Sequence, residues 1–377
     1  MTPPSQPELR VAVNLLWCVP GDVGGSEQYL VRQLLGLDEC GGAGGVAIYA
    51  PAALATAHPR LAAAYPFVAA PTDGRRRWRR LVAESGWLHG HTARAALVHH
   101  GGGTAPLRAR RPYVLTIHDL QYRTYPHFFS RSKRTYLDAV VPRSARRAAA
   151  VLVPSEYVRG TVIDELGVDG GRVVVVPHGY EPALLSDVTP ASELRKRYAL
   201  GDGPVVIYPA MSAPHKNHRF LLDVMANAWT DRSLRLVLLG GRGAAEADLA
   251  QRIASDPELQ ARVVRPGRVS DADRNGLVAL ADALVFPSEY EGFGAPVIEA
   301  MALGTPVVCS DATCLPDVVG AAGLVRPLEI DAWRGALDEV DRRRDELVAA
   351  GYERVRAFTS GVSGAALAAA YAEVLGR

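Results

Sequence analysis

Glu291 and Glu299 flank a glycine-rich turn in the stretch SEYEGFGAPVIEAMALGTPVVCSD, residues 288–311. Pro296 suits the first helical position, where its missing N–H costs nothing, and Gly304 with Pro306 supplies a stop signal. The spacing therefore predicts a short helix from Pro296 to Leu303. Its N-terminus would carry unsatisfied N–H groups and about half a positive charge, a ready site for an anion. In the turn ahead, Gly292 and Gly294 let backbone amides come close because no side chain intervenes. Helical side chains tilt toward the N-terminus, so Glu299 can point back at whatever the turn holds, with Glu291 on its other side. Two carboxylates would repel an anion unless they accept hydrogen bonds from hydroxyls. A sugar nucleotide presents both chemistries, a diphosphate for the amides and alcohols for the acids. A plainer reading stays open, in which Glu299 complements its helix dipole and Glu291 is a solvated loop acid.

The elements that would hold this site follow from the patterning. Short β-branched runs alternate with Ala-, Leu- and Arg-rich helical stretches, the pattern of parallel sheets wrapped by helices. In the first half, strands are expected at 10–17, 45–50, 113–118, 150–155 and 172–177. In the second half they are expected at 204–210, 235–241, 262–267, 283–288 and 306–311. A chain of 377 residues exceeds what one core organises, so two doubly wound domains are expected. The boundary is placed at 182/183, in a connection spanning His178 to Pro190 that mixes Gly, Pro and acidic residues and could act as a hinge. Ligands of open α/β sheets sit beyond the carboxyl ends of the strands, which makes a cleft between two such sheets the default place to look.

Charge is distributed unevenly. Residues 1–180 hold 21 Lys and Arg against 13 Asp and Glu, and the rest holds 21 against 27. The excess gathers in GRRRWRR (residues 74–80), RARRP (108–112) and the stretch 131–147. Such a half could meet a membrane surface or an anionic acceptor, or simply be a set of solvated helix faces. Nucleic acid is not expected, because no reader motif accompanies the basic runs. The early apolar run Val11–Val19 contains Asn14 and reads as a buried strand, not a signal peptide, and no apolar span reaches membrane length. Four scattered cysteines fit a reducing cytoplasm.

Several other chemistries are disfavoured. SDAD (Ser270 to Asp273) places an Asp three positions after a serine that precedes a helix, which reads as a capping box and not a metal motif. His89, His91, His99 and His100 lack the Cys or acidic partners of a metal site. No phosphate-loop Lys-Ser/Thr pattern occurs. GGRG (Gly240 to Gly243) is too short for a dinucleotide fingerprint but could line a nucleotide pocket. Gln28 and Tyr29 read as helix-surface residues.

PSEYEGFGAPVIEAMALGTPVV resembles the signature of the retaining glycosyltransferases of family four, in which two glutamates separated by seven residues frame the donor site. GGSEQYL after the first strand, TIHDL at the end of a central strand and PHKNH after the first strand of the second half extend the resemblance over most of the chain. It implies the α/β fold class GT-B, two Rossmann-like doubly wound parallel-sheet domains facing across a cleft. Residues 1–182 would bind acceptor, residues 183–359 the nucleotide sugar, and a terminal helix, about 360–377, would pack back on the first domain, although the Trp usual after Phe358 is absent. The resemblance implies that Glu291 contacts the donor sugar, Glu299 the ribose and Lys216 the diphosphate. Gly24 and Gly25 would approach the phosphates, Phe293, Gly294, Ala295 and Pro296 would form the donor loop, and His118 would lie beside the reacting carbon. Plainer readings remain: an ordinary exposed lysine, a core histidine, a strand-to-helix turn. Lys216 is nevertheless one of three lysines beside 39 arginines, which hints at a need for a compact ammonium.

The implied reaction moves a hexose, mannose-type favoured, from a nucleoside-diphosphate sugar to a hydroxyl on a lipid, glycan or small aglycone. GDP-mannose is the favoured donor and a UDP-sugar the next. No metal or other cofactor is expected, because fixed donors would meet the charge on the leaving diphosphate. One position departs from the pattern. Many relatives carry an Arg six residues before the lysine, where this chain has Ala210, so that His215, Arg219 or another arginine substitutes or diphosphate binding is weaker. A non-catalytic sugar-nucleotide-binding subunit, or less favourably an epimerase of the same fold, therefore stays open.

Overall fold

The structure, a computed structural model, describes residues 10–110, 112–182 and 186–376. Residues 1–9, Arg111 of the basic run 108–112, residues 183–185 of the expected connection and Arg377 lie outside the described residues. Chain contacts divide into two units, one of Met1–Gly179 with Thr359–Arg377 and one of Tyr180–Phe358.

The first unit is built on seven parallel strands: β1 (Val11–Asn14), β2 (Val46–Ala50), β3 (Phe67–Ala69), β4 (Leu97–His100), β5 (Tyr113–Thr116), β6 (Ala150–Val153) and β7 (Val173–Val175). They lie in the order β3-β2-β1-β4-β5-β6-β7. Alternate side chains along each strand enter different cores, so both faces must be apolar. Val11 and Val13 pack with Leu34 and Tyr371 on one face, and Ala12 packs with Leu115 and Val158 on the other. The first face is covered by the helices Gly25–Glu39 and Ser360–Gly376. Gly36 and Gly364 let those two backbones touch: a Cβ on Gly36 would fall 1.8 Å from the Ser360 carbonyl oxygen, and one on Gly364 would fall 2.0 Å from the Gly36 carbonyl carbon. Tyr371 on the terminal helix hydrogen-bonds His99 Nδ1 at 2.7 Å, and His99 Nε2 meets Thr116 Oγ1 at 2.7 Å.

The second unit has six parallel strands: β8 (Val205–Pro209), β9 (Arg235–Leu239), β10 (Val263–Gly267), β11 (Ala283–Phe286), β12 (Val307–Ser310) and β13 (Gly323–Arg326). Their order is β10-β9-β8-β11-β12-β13. Each sheet thus reverses its winding once, between β1 and β4 in the first unit and between β8 and β11 in the second. At such a switch point the loops leaving adjacent strands part in opposite directions and open a crevice at the carboxyl edge.

Ten of these thirteen strands match expected positions. β3, β4 and β13 were not expected; each is only three or four residues long, and β4 is an apolar pair followed by two histidines. The capping box at Ser270 is only half formed. Ser270 Oγ accepts the Asp273 amide at 3.1 Å, but the Asp273 carboxylate turns away to accept from Thr189 and Tyr198, each at 2.7 Å.

Candidate functional site

The loops leaving β8 and β11, the strands on either side of the second switch point, supply Lys216 and Glu291. Lys216 closes the short turn Pro214–Lys216, and Asn217 follows at φ 52°, a left-handed conformation that Asn tolerates better than most residues. That reversal starts the helix His218–Asn227 and leaves the lysine side chain aimed at the crevice edge. Lys216 Nζ donates to Glu291 Oε1 at 2.6 Å, with the two side chains 18% and 11% exposed. The ammonium also lies 5.8 Å from the centroid of the Phe286 ring.

Beneath this pair is a set of buried hydroxyls. Tyr208 Oη donates to the Lys216 carbonyl at 2.7 Å and lies 3.0 Å from Ser288 Oγ, while Ser310 Oγ donates to the Ser288 carbonyl at 2.5 Å. Burial, and then the Glu291 carboxylate, hold the Tyr208 phenol well above its ordinary range, so it remains a neutral donor. His215 packs nearby; burial first and the Lys216 charge second push its pKa down to about 4. At neutral pH it is therefore not the cation that would compensate for Ala210. Arg219 is exposed and pairs with Asp248 at 3.6 Å.

The helix expected at Pro296–Leu303 spans Ala295–Ala302, with Pro296 at its second position. The amide missing from Pro296 is among those left unbonded in a first helical turn, so the shift costs nothing. Gly294 precedes the helix at φ 93°, and a Cβ there would lie 2.8 Å from Leu315 Cδ2. Phe293 is buried, 5.4 Å edge-on to Phe358. Glu299 sits just past the first turn, half-buried.

A cavity of about 260 Å³ opens at the carboxyl ends of β8, β9 and β10. Ala210, Ser212, His218, Gly240, Gly241, Arg242, Glu246 and Arg265 are among the residues lining it. Arg265 donates to Glu246 at 2.6 Å, and Ser212 Oγ joins the other Glu246 oxygen at 2.8 Å. His218, whose pKa burial lowers to about 4, feels the charges of Lys216, Arg265 and Glu246 together. The glycines of GGRG are required by close backbone approach: Cβ atoms on Gly240 and Gly243 would lie 2.6 and 2.5 Å from the Ala210 and Ser212 carbonyl oxygens.

In the first unit, Gly24 takes φ 61° at the start of the helix Gly25–Glu39, and a Cβ on either Gly24 or Gly25 would meet nothing within 4 Å. The loop before it is fastened by Glu27, which accepts the Gly21 amide at 2.8 Å and meets His58 Nε2 at 2.7 Å. His118, after β5, reaches the Gly101 carbonyl with Nε2 at 2.9 Å, and desolvation lowers its pKa to about 4. Tyr29 is not a surface residue. It is buried, its hydroxyl donates to the Val176 carbonyl at 2.6 Å, and its ring stands edge-on to His118 with centroids 5.4 Å apart. Its helical phase places it on the inner face, while Gln28 is exposed as expected.

Thus Lys216 and Glu291 meet from the loops after β8 and β11, and Phe293 and Gly294 follow Glu291 in the second of these loops, whereas Gly24, Gly25 and His118 lie at strand ends of the first sheet. Tyr208 and Ser288 were not foreseen, since no sequence pattern marks a buried hydroxyl as a support for a loop elsewhere. Among the described residues no group of three or more His, Cys, Asp and Glu side chains could hold a metal ion, and no helix is long and apolar enough to cross a membrane.

Two parallel-sheet units of this topology, with a glutamate loop and a lysine at the second switch point, define a GT-B glycosyltransferase architecture. Residues 23–184 match the model of Glycosyltransferase Family 4 and residues 191–352 that of Glycosyl transferases group 1. The chain belongs to this glycosyltransferase family. It is 33% identical over 244 residues to the O-antigen chain mannosyltransferase B of Escherichia coli, covering 62% of each chain. It is 32% identical over 251 residues to the O-antigen chain mannosyltransferase RfbU of Salmonella typhimurium, covering 66% of this chain and 65% of that one. The aligned region thus spans somewhat under two thirds of these relatives' length. Among solved structures, Anabaena HepE in complex with UDP and glucose superposes with a TM-score of 0.75 at 21% identity, covering 96% of this chain and 99% of that one. Sucrose-phosphate synthase from Thermosynechococcus elongatus gives 0.75 at 20% identity, over 98% and 100%. These two likenesses establish the fold.

Proposed function

We propose that this chain is a retaining hexosyltransferase that carries a mannose-type sugar from a nucleoside-diphosphate donor, GDP-mannose ahead of UDP-sugars, to a hydroxyl on a lipid, glycan or small aglycone. The observation that carries the reading is the Lys216–Glu291 pair at the second switch point, 2.6 Å apart and largely buried. In the reaction the bond between the anomeric carbon and the diphosphate breaks, and its electrons go to the leaving oxygen. The acceptor oxygen bonds the same carbon, and its proton leaves with the diphosphate. Lys216 and the amides ahead of the helix Ala295–Ala302 would meet the developing charge without a metal. Glu291 would accept from sugar hydroxyls and Glu299 from the ribose. Attack on the face the diphosphate leaves would retain configuration. Arg265 and Arg242 line the cavity with Ala210 and would supply the positive charge that position lacks. In the first unit, Gly24 and Gly25 would serve the phosphates, and His118, uncharged at neutral pH, would offer a hydrogen bond near the reacting carbon.

The mannosyltransferase relatives support the sugar, and the UDP bound by HepE keeps a uridine donor in the comparison. Exposed Trp78 within Arg75–Arg80, with exposed Val82 just beyond, supports peripheral contact with an anionic membrane from the cytoplasmic side. One experiment addresses all of these. The protein is incubated with GDP-mannose, UDP-glucose and other nucleotide sugars, with and without anionic vesicles, and both thermal protection and nucleoside diphosphate release are followed. Protection and release by GDP-mannose above all others, and co-sedimentation with vesicles, are expected. Protection without release under any acceptor would leave a binding subunit instead of an enzyme, and no protection by any nucleotide sugar would refute the reading.

A further inference from the structure

Among the described residues three non-glycine positions adopt left-handed backbone: Ala199, Asn217 and Thr313. Two of them bracket the Lys216–Glu291 pair. Asn217 directly follows Lys216, and Thr313, at φ 55°, stands in the loop after β12. Asn is a common resident of this region, but a β-branched residue there is a genuine outlier, because its branched Cβ crowds the backbone. Such a conformation persists only where the surroundings over-determine it.

The surroundings in question are the glutamate loop. Thr313 Oγ1 accepts the Glu291 amide at 3.0 Å, and the next residue, Cys314, donates its thiol to the Glu291 carbonyl at 3.3 Å. Leu315 then packs where a Cβ on Gly294 would stand. Three consecutive residues therefore grip the peptide on both sides of Glu291 and the glycine that launches the helix Ala295–Ala302. Burial, reinforced by the Glu291 carboxylate, raises the Cys314 thiol well above its ordinary range, so it stays protonated and able to donate. With its own peptide held at both ends, the Glu291 side chain can extend in few directions, and the one it takes ends on Lys216.

We propose that Thr313 is a positioning residue, whose strained backbone delivers a hydroxyl to the Glu291 amide and so fixes the carboxylate against Lys216. This rests on the transferase reading above and assigns to Thr313 the orientation, not the chemistry, of the donor site. Threonine rather than glycine occupies a left-handed turn because the hydroxyl is wanted there.

Three variants test this. Thr313→Val keeps the shape and the strain but loses the hydroxyl; Thr313→Ser keeps the hydroxyl; Thr313→Gly loses the hydroxyl and the strain together. Nucleoside diphosphate release should fall by about 10- to 100-fold in kcat for Val and for Gly, the scale of a misplacement near 1 Å, while donor KM stays within about threefold. Ser should remain within about threefold of the parent. A purely structural role would make Gly the best tolerated of the three, so an impaired Gly variant of unchanged thermal stability supports positioning. Parental kcat in Val or Gly overturns it, and Gly alone decides if Val does not fold. If the parent protein turns over no nucleotide sugar, the transferase reading fails on its own, and a crystal structure of Thr313→Val then decides. A Lys216–Glu291 separation beyond about 4 Å, outside hydrogen-bonding range, would support positioning. A pair still at 2.6 Å would overturn it.

Discussion

The two sheets reverse their winding in the same way, yet the polar groups at their switch points are of opposite kinds. At the carboxyl ends of the first sheet, burial drives several ionisable groups toward their neutral forms, although at Glu27 burial is outweighed by the hydrogen bonds from His58 and Gly21, which hold the carboxyl below its ordinary range. His99 is lowered to about 3, His100 and His118 to about 4, and the Glu84 carboxyl is raised. Asn14 links two of these groups, at 3.0 Å from His100 Nδ1 and 3.4 Å from Glu84. The second sheet instead keeps preformed ions at its edge, Lys216 with Glu291 and Arg265 with Glu246, beside the neutral His215 and His218. An ion held at a crevice edge by one partner can exchange that partner for a charged ligand, whereas a buried neutral network offers hydrogen bonds and shape. On the reading proposed above, the anionic part of the substrate would fall to the second unit.

The comparison breaks most sharply at Lys216. Lys216→Ala should lower nucleoside diphosphate release on the order of 100-fold or more, the usual cost of one lost charge-stabilising donor. Unchanged turnover in steady-state assays would mean that the ions of the second sheet are structural. A second test concerns what the first unit depends on. Gly364→Val would drive a side chain into the Gly36 backbone, and the loss should reach about 3 kcal/mol, the upper end of overpacking effects. Denaturant unfolding would measure it, and near-parental stability would show that the terminal helix can shift without loss. A third test is acid. Below about pH 6.5 the unfolded chain binds protons that His99, His100 and His118 refuse until pH 4 or lower. Stability therefore begins to fall near pH 6.5 and declines toward pH 4, by about 5 kcal/mol between pH 7 and pH 5 if all three contribute. Thermal melts in that window that do not change would contradict a neutral, buried set.

The second unit was the more legible of the two in the sequence, for physical reasons. EGFGAP and PHKNH announce themselves because glycine permits, and proline imposes, backbone conformations that few other contexts require. The first unit hides its centre. β4 lies between β1 and β5, but LVHH ends its apolar run after two residues, so His99 and His100 looked like members of a loose histidine cluster. Tyr29 is buried where the sequence suggests a helix surface, and its partner, the Val176 carbonyl, is far away along the chain. The Gly36–Gly364 contact joins residues at opposite ends of the chain, and Thr313 is distinguished by a backbone angle; neither leaves a local pattern.

The central claim is that the crevice between β8 and β11 grips the diphosphate of a sugar nucleotide. A crystal structure with GDP-mannose or its nucleoside diphosphate bound tests this most directly. The account predicts a phosphate oxygen within about 3 Å of Lys216 Nζ, others facing the amides ahead of the helix Ala295–Ala302, and Glu299 on the ribose hydroxyls. A nucleotide bound elsewhere, with Lys216 still paired only to Glu291, would contradict it.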